Sequence, residues 1–133
     1  MKVIDTTIIA AYILREPGWE KLIDVLMNAV TVDMAIKECL NAVWKTYARG
    51  HISEESARAK ANALLELAKS GLELVDEKLL FKRAFEIACS ENLSVYDALF
   101  LTLAESRDAP LYTLDREQTE KAKKLAIRVK IIE

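Results

Sequence analysis

Acidic side chains occur at the positions where an α/β protein usually keeps its reactive groups. Asp5 directly follows a short β-branched run near the N-terminus, and Asp115 comes two residues after a second strand-like run, Leu111-Tyr112-Thr113. Asp97 lies in the first turn of the helical stretch before that second run, and Glu38 lies one turn into an earlier helical stretch. Ligands of open parallel sheets bind outside the carboxyl ends of the strands. We therefore expect these four side chains to line one crevice.

Four carboxylates in one crevice repel one another, and their pKa values rise unless a cation neutralises them. The single histidine, His51, stands alone in a turn pattern, and the cysteines Cys39 and Cys89 form no zinc-like spacing. We expect both cysteines to be ordinary buried thiols. An all-oxygen site prefers Mg²⁺ or Mn²⁺, and these ions are suited to phosphate chemistry.

Each carboxylate also has an alternative, purely structural explanation. Ser94-Val95-Tyr96-Asp97 matches a capping box, and Asp115 followed by Gln118 matches the N-terminal end of another helix. Asp5 could be a strand-to-helix cap, and Glu38 could be a solvated helix residue. The helix that carries Asp97 is apolar almost all round, so we expect its carboxylate to be partly buried and to need a partner.

Strand-like and helical patterns alternate along the chain. The predicted strands are Lys2–Ile4, Val30–Val32, Leu72–Val75, Leu111–Thr113 and Val129–Ile132. Seven helices are predicted. They are a helix that begins at Thr6, a helix over Trp19–Asn28, a helix that Asp33 caps and that ends near Arg49, a helix from Ser53 to about Ser70, a helix over Lys78–Glu91, a helix from Ser94 to about Arg107, and a helix over Arg116–Leu125. This alternation predicts a three-layer α/β/α sandwich with a central, mostly parallel five-stranded sheet and right-handed crossovers.

Composition narrows the class of protein. With 52% hydrophobic and 30% charged residues in 133 positions, the chain is expected to fold as a single globular domain over residues 1–133. No apolar run approaches the roughly 20 residues needed to cross a bilayer, and no secretory signal opens the chain, so we expect a cytoplasmic protein without membrane contact. A net charge of −2 argues against a general positive field for nucleic acid, although an acidic centre itself lowers the net charge.

Four motifs together resemble those of the PIN-domain family, in its order and approximate spacing, and the nearest resemblance is to VapC-like toxins. They are Val3-Ile4-Asp5-Thr6-Thr7, Glu38-x-x-Asn41, Ser94-x-Tyr96-Asp97-Ala98 and Thr113-Leu114-Asp115. The resemblance covers essentially the whole chain. It implies a parallel five-stranded sheet between helices, cleavage of RNA, frequent homodimers and a small inhibitory antitoxin protein.

The resemblance also implies roles for individual residues. Asp5 and Asp97 would be the primary ligands of Mg²⁺ or Mn²⁺, and Glu38 and Asp115 would complete the catalytic acidic centre. The expected reaction is in-line attack on the scissile phosphate by water that the metal activates.

Two threonines are expected to support the acids. Thr6 and Thr113 would orient carboxylates or touch phosphate, again by resemblance to the family.

Other protein classes fit the same residues less well. A haloacid-dehalogenase-type phosphatase needs a second aspartate where this chain has Thr7. A receiver domain could use Asp76 as its phosphoacceptor, but Asp5 lacks the paired acid of that class. A nucleotide-binding enzyme would need a glycine-rich phosphate loop, which the three glycines do not form. The alternative that remains is a PIN-like RNA- or protein-binding scaffold with little or no nuclease activity.

Overall fold

The computed structural model describes residues 1–132 and contains a five-stranded sheet surrounded by helices. The strands are β1 (Lys2–Ile4), β2 (Ala29–Val32), β3 (Glu73–Val75), β4 (Leu111–Thr113) and β5 (Val129–Ile131). The helices are α1 (Thr6–Ile13), α2 (Ile23–Leu26), α3 (Met34–Ala48), α4 (Glu54–Glu66), α5 (Phe81–Glu91), α6 (Val95–Arg107) and α7 (Arg116–Lys124). All five predicted strands are present, with ends that shift by a residue at most.

The sheet order is β3-β2-β1-β4-β5, and every neighbouring pair is parallel. The chain builds outward from β1 through β2 to β3 and then returns to add β4 and β5 on the other side of β1. The strand order therefore reverses between β1 and β4, which is where ligands of such sheets bind. The predicted α/β/α architecture is confirmed.

Apolar strands and one apolar helix form the core. Every residue of β2 is buried, and Val3 and Ile4 of β1 are inaccessible to solvent. The stretch from Ala98 to Ala104 in α6 is buried without interruption, because this helix packs against β1, β2 and β4 on one side and α5 on the other. Helices α1, α3 and α4 pack against one another. None of the helices in the described chain is both long and apolar enough to cross a bilayer.

Three predicted helices differ in their local form. The stretch predicted as Trp19–Asn28 is a 3₁₀ turn over Trp19–Leu22 followed by the single α turn of α2, and Asn28 then adopts a left-handed backbone with φ of 57°. The helix predicted to reach Ser70 changes after α4 into a wider π turn over Leu67–Gly71. The stretch predicted to be helical from Lys78 begins as a 3₁₀ turn over Glu77–Leu80 before α5.

Two smaller predictions are wrong. The side chain of Asp33 does not cap α3, because its Oδ1 atom instead accepts a hydrogen bond from the backbone N–H of Glu77 at 3.2 Å. This contact ties the end of β2 to the segment after β3. Cys39 is buried as expected, but Cys89 is exposed on α5.

Candidate active site

Asp5 occupies the centre of the sheet's carboxyl edge, directly after β1. Its residue surface is only 4% exposed, and its carboxylate is held by two hydroxyl groups. Thr7 donates to Oδ1 at 2.5 Å, and Thr113 donates to Oδ2 at 2.5 Å. The backbone N–H of Thr7 also donates to Oδ1, at 3.1 Å, so the carboxylate caps α1 as well.

Burial raises the pKa of Asp5 to about 6 from 3.8, even though the hydrogen bonds from Thr113 and Thr7 act in the opposite direction. No cationic side chain contributes to this shift. The negative charge of the Asp5 carboxylate is therefore poorly stabilised by the protein alone. A structural cap would not need such a position, since exposed carboxylates cap helices equally well.

The two hydroxyl groups that hold Asp5 are themselves oriented by backbone donors. Thr7 Oγ1 accepts from the N–H of Leu114 at 2.9 Å, and Thr113 Oγ1 accepts from the N–H of Asp115 at 3.0 Å. Each hydroxyl proton is thereby directed toward the Asp5 carboxylate. The network joins the β1–α1 junction to the β4–α7 junction, and it includes Thr7, to which the sequence analysis assigned no role.

Glu38 reaches the same region from α3. Thr6 Oγ1 donates to its Oε1 atom at 2.5 Å. The neighbouring Cys39 thiol is buried, and its pKa is raised to about 12 by that burial first and then by the negative charges of Glu38 and Asp5. The shift indicates that both carboxylates lie close to one thiol.

Asp97 and Asp115 lie at the first turns of α6 and α7. The Ser94 hydroxyl accepts from the Asp97 N–H at 3.1 Å, so the predicted cap of α6 is present. Burial raises the pKa of Asp97, and the charge of Asp115 contributes next. Asp97 as a whole residue is exposed, because the continuous burial of α6 begins one residue later, at Ala98. Its carboxylate is nevertheless partly shielded from water by neighbouring atoms, as expected.

Gln118 joins these two acids, although its spacing from Asp115 predicts only a local helix cap. Its backbone N–H lies 3.4 Å from Asp115 Oδ1, which also accepts from Glu117 at 2.9 Å. Its buried side chain, 3% exposed, does not bond back to the N-cap residue but donates from Nε2 to the carbonyl of Asp97 at 3.0 Å. The first turn of α6 is therefore fastened to the first turn of α7.

The donor chemistry of this region fits a hard divalent cation, because the acids offer only oxygen and two of them have raised pKa values. The side chains are linked but do not converge: residues 1–132 contain no group of three or more His, Cys, Asp or Glu side chains placed to hold an ion. Their hydroxyl and amide partners occupy several of the carboxylate oxygens.

A family model and a curated relative match this chain over most of its length. The family model of the PIN domain matches residues 2–124. A curated relative, Ribonuclease VapC3 from Pyrobaculum aerophilum, is 33% identical over 122 residues, which cover 90% of this chain and 92% of that protein. That relative is named as a ribonuclease.

Solved structures share the fold. PAE2754 from Pyrobaculum aerophilum superposes with a TM-score of 0.69 at 24% identity, covering 90% of this chain and 84% of its own. VapBC2 from Rickettsia felis, solved bound to a DNA fragment from its promoter, has a TM-score of 0.67 at 15% identity over 99% of this chain and 98% of its own. FitAcB from Neisseria gonorrhoeae has a TM-score of 0.61 at 15% identity, covering 97% of this chain and 96% of its own.

Proposed function

This chain belongs to the PIN-domain family, and we propose that it is a metal-dependent endoribonuclease of the VapC toxin type. The observation that carries the proposal is the buried Asp5 carboxylate at the point where the strand order reverses. Two oriented hydroxyl groups hold it, and its pKa is raised to about 6. Ribonuclease VapC3, the curated relative, supports RNA as the substrate class.

In the proposed mechanism Asp5 and Asp97 would hold one or two Mg²⁺ or Mn²⁺ ions, and Glu38 and Asp115 would complete the acidic centre. When bound, such an ion supplies Lewis-acid activation of water and neutralises the negative charge that develops on phosphate. The mutual repulsion of Asp97 and Asp115 is the electrostatic reason for a cation at this place.

The remaining side chains position the acids. Thr7 and Thr113 fix both oxygens of Asp5, and Thr6 fixes one oxygen of Glu38. Such preorganisation matters because small displacements of catalytic groups lower rates strongly. Hydrolysis by water needs no covalent intermediate with the protein.

The proposal extends to protein partners. We propose that a small antitoxin protein inhibits the enzyme and that the chain forms homodimers, as the resemblance to VapC-like toxins implies. The names of the similar proteins VapC3 and VapBC2 support the antitoxin proposal at the level of the family.

A second candidate is a PIN-domain scaffold with little or no nuclease activity. It is favoured by one observation, the absence from residues 1–132 of three acidic side chains already converged on a common point. Its distinguishing property would be failure to bind a divalent ion even when RNA is present.

Cleavage of a mixed RNA panel in Mn²⁺ distinguishes the two candidates. We expect the wild type to cut RNA and Asp97→Asn to lose activity while keeping its fold, as checked by circular dichroism. Asp24→Asn, at an exposed position on α2, is the matched control and should retain full activity. Equal cleavage by wild type and Asp97→Asn would point to a contaminating nuclease and would remove support for the proposed centre.

A further inference from the structure

A cavity of about 490 Å³ lies beside the acidic centre, and Glu38 forms part of its wall. It opens between α3, the segment after β3 and the start of α6. Its volume falls within the roughly 300–1,000 Å³ typical of small-molecule sites. We propose that this cavity binds one unstacked nucleobase of the RNA strand, an inference that rests on the proposed ribonuclease function.

Two aromatic side chains in the wall of this cavity offer their surfaces to a ligand. Tyr96 is 61% exposed and Phe81 is 47% exposed, although both are large and mostly apolar. Unpaired bases of RNA are commonly recognised by stacking on aromatic side chains. Exposure of two such rings beside a charged centre is explained if a flat, partly polar ligand covers them.

Polar side chains in the same wall are available for hydrogen bonding to a base edge. Lys37 and Asn41 lie one turn apart on α3, on either side of Glu38 in the sequence, and Glu77 faces the cavity from the segment after β3. The side chains of Lys37, Asn41 and Glu77 form no hydrogen bond or ion pair with other described residues. They provide donors from α3 and a carboxylate acceptor from the segment after β3.

This arrangement predicts which bases are preferred. An exocyclic amino group can donate to Glu77, while a neighbouring ring nitrogen or carbonyl accepts from Asn41 or Lys37. Uracil has no exocyclic amino group, and its one edge donor, the ring N3–H, lies between two carbonyl oxygens that a carboxylate repels, so uracil satisfies the carboxylate less well. The cavity therefore favours a base that carries an amino group over uracil.

The location also fits a substrate strand. Tyr96 immediately precedes Asp97 in α6, and Glu38 is shared between the cavity and the acidic centre. A base held here keeps its attached phosphate beside the carboxylates. The cavity thus positions one nucleotide next to the bond to be cut.

Methyl NMR provides a test that does not depend on catalysis. The chain has three methionines: Met34 lines the cavity, whereas Met1 and Met27 are exposed at other places. With ¹³C-methyl methionine and EDTA to prevent cleavage, the single-stranded oligonucleotide UUAUU should shift the Met34 signal in a saturable way through the ring current of the base. UUUUU should bind more weakly, and the Met1 and Met27 signals should stay in place. Met34→Leu assigns the signal.

Variants sharpen the result. Tyr96→Leu should weaken binding of UUAUU by about ten-fold, since stacking on an aromatic ring is lost. If Tyr96→Leu does not fold, Phe81→Leu takes its place and should also weaken binding. Tyr47→Leu is the matched control, because Tyr47 lines a separate groove between α3 and α4. Glu77→Gln should reduce the difference in affinity between UUAUU and UUUUU.

Several outcomes would overturn the proposal. One is a Met34 signal that does not respond to saturating oligonucleotide although wild-type enzyme cleaves RNA, a result that leaves the ribonuclease function standing. Another is a Met34 shift that depends on protein concentration alone, together with a doubled mass in sedimentation, which assigns this face to contact between two copies. A saturable Met34 response in a protein that never cuts RNA would support the base site and contradict the proposed function.

Discussion

Replacing Asp5 by Asn is expected to stabilise the metal-free protein at neutral pH, even though it removes a proposed catalytic group. The carboxylate is 4% exposed, and its pKa is raised from 3.8 to about 6, chiefly because burial penalises the charged form. Asparagine has nearly the same shape and no charge. The substitution therefore removes a source of destabilisation that a bound cation would otherwise offset.

The magnitude follows from the pKa difference. A shift from 3.8 to about 6 corresponds to about 3 kcal/mol, at 1.36 kcal/mol per pKa unit. Above pH 6 both the folded and the unfolded chain are ionised at Asp5, so the full penalty is present. As the pH falls through 6 the folded protein takes up a proton first, and the penalty disappears as the pH approaches 3.8. Asp5 thus makes the folded protein more stable, relative to the unfolded chain, as the pH falls through this window.

The hydrogen bonds reduce the absolute gain. The Asn amide must direct its NH₂ group toward one of the two hydroxyl groups, which then has to donate elsewhere, and a lost hydrogen bond costs about 1 kcal/mol. The free energy lost with this hydrogen bond does not change between pH 6 and pH 3.8. The quantity to measure is therefore how the difference in unfolding free energy between Asp5→Asn and wild type changes with pH.

Urea unfolding in EDTA from about pH 8 to about pH 4 measures that quantity for wild type, Asp5→Asn and the exposed control Asp24→Asn. We expect the stability advantage of Asp5→Asn to shrink by most of about 3 kcal/mol over this range, while Asp24→Asn runs parallel to wild type. Added Mn²⁺ should stabilise wild type more than Asp5→Asn. Parallel pH profiles for wild type and Asp5→Asn would refute the idea that Asp5 is a poorly compensated buried charge.

Two further substitutions test the groups that position the acids. Thr113→Val removes the donor to Asp5 and the acceptor for the Asp115 N–H, so urea unfolding should show a loss of about 1–3 kcal/mol and RNA cleavage should fall; Thr113→Ser should recover most of both. Gln118→Met removes only the hydrogen bond to the Asp97 carbonyl and should cost about 1 kcal/mol. Its Mn²⁺ affinity, measured by calorimetry, should fall as well, and an unchanged affinity would mean that Gln118 serves stability alone.

The strands and the acidic positions were predictable because their signals are local. A run buried on both faces is mostly apolar without alternation, and β2 shows this, since all four residues of Ala29–Val32 are buried and only Thr31 is polar. Asp5 and Asp115 could be placed at one edge of the sheet because each comes within two residues of the end of a strand in a parallel pattern. The predicted caps at Ser94 and Asp115 are confirmed for the same reason, since a cap involves neighbours in the sequence.

The misassigned features depend on contacts between distant parts of the chain. The Asp33 side chain has its partner 44 positions away at Glu77, so the local capping pattern predicted the wrong bond. Thr7 contacts Leu114 across 107 positions, and a sequence read locally contains no sign of this pairing. Gln118 has the spacing of a capping box with Asp115. The backbone N–H of Asp115 instead donates to Thr113, so the Gln118 side-chain amide is available to donate to the Asp97 carbonyl of α6.

The proposed function requires a divalent ion at the acidic centre for RNA cleavage. The most direct test measures Mn²⁺ binding by electron paramagnetic resonance and the rate of RNA cleavage in the same titration, for wild type and Asp97→Asn. We predict that the rate follows the bound fraction of Mn²⁺ in wild type and that folded Asp97→Asn loses both affinity and activity. Cleavage by wild type that persists in excess EDTA, or cleavage by Asp97→Asn at the wild-type rate, would contradict the claim.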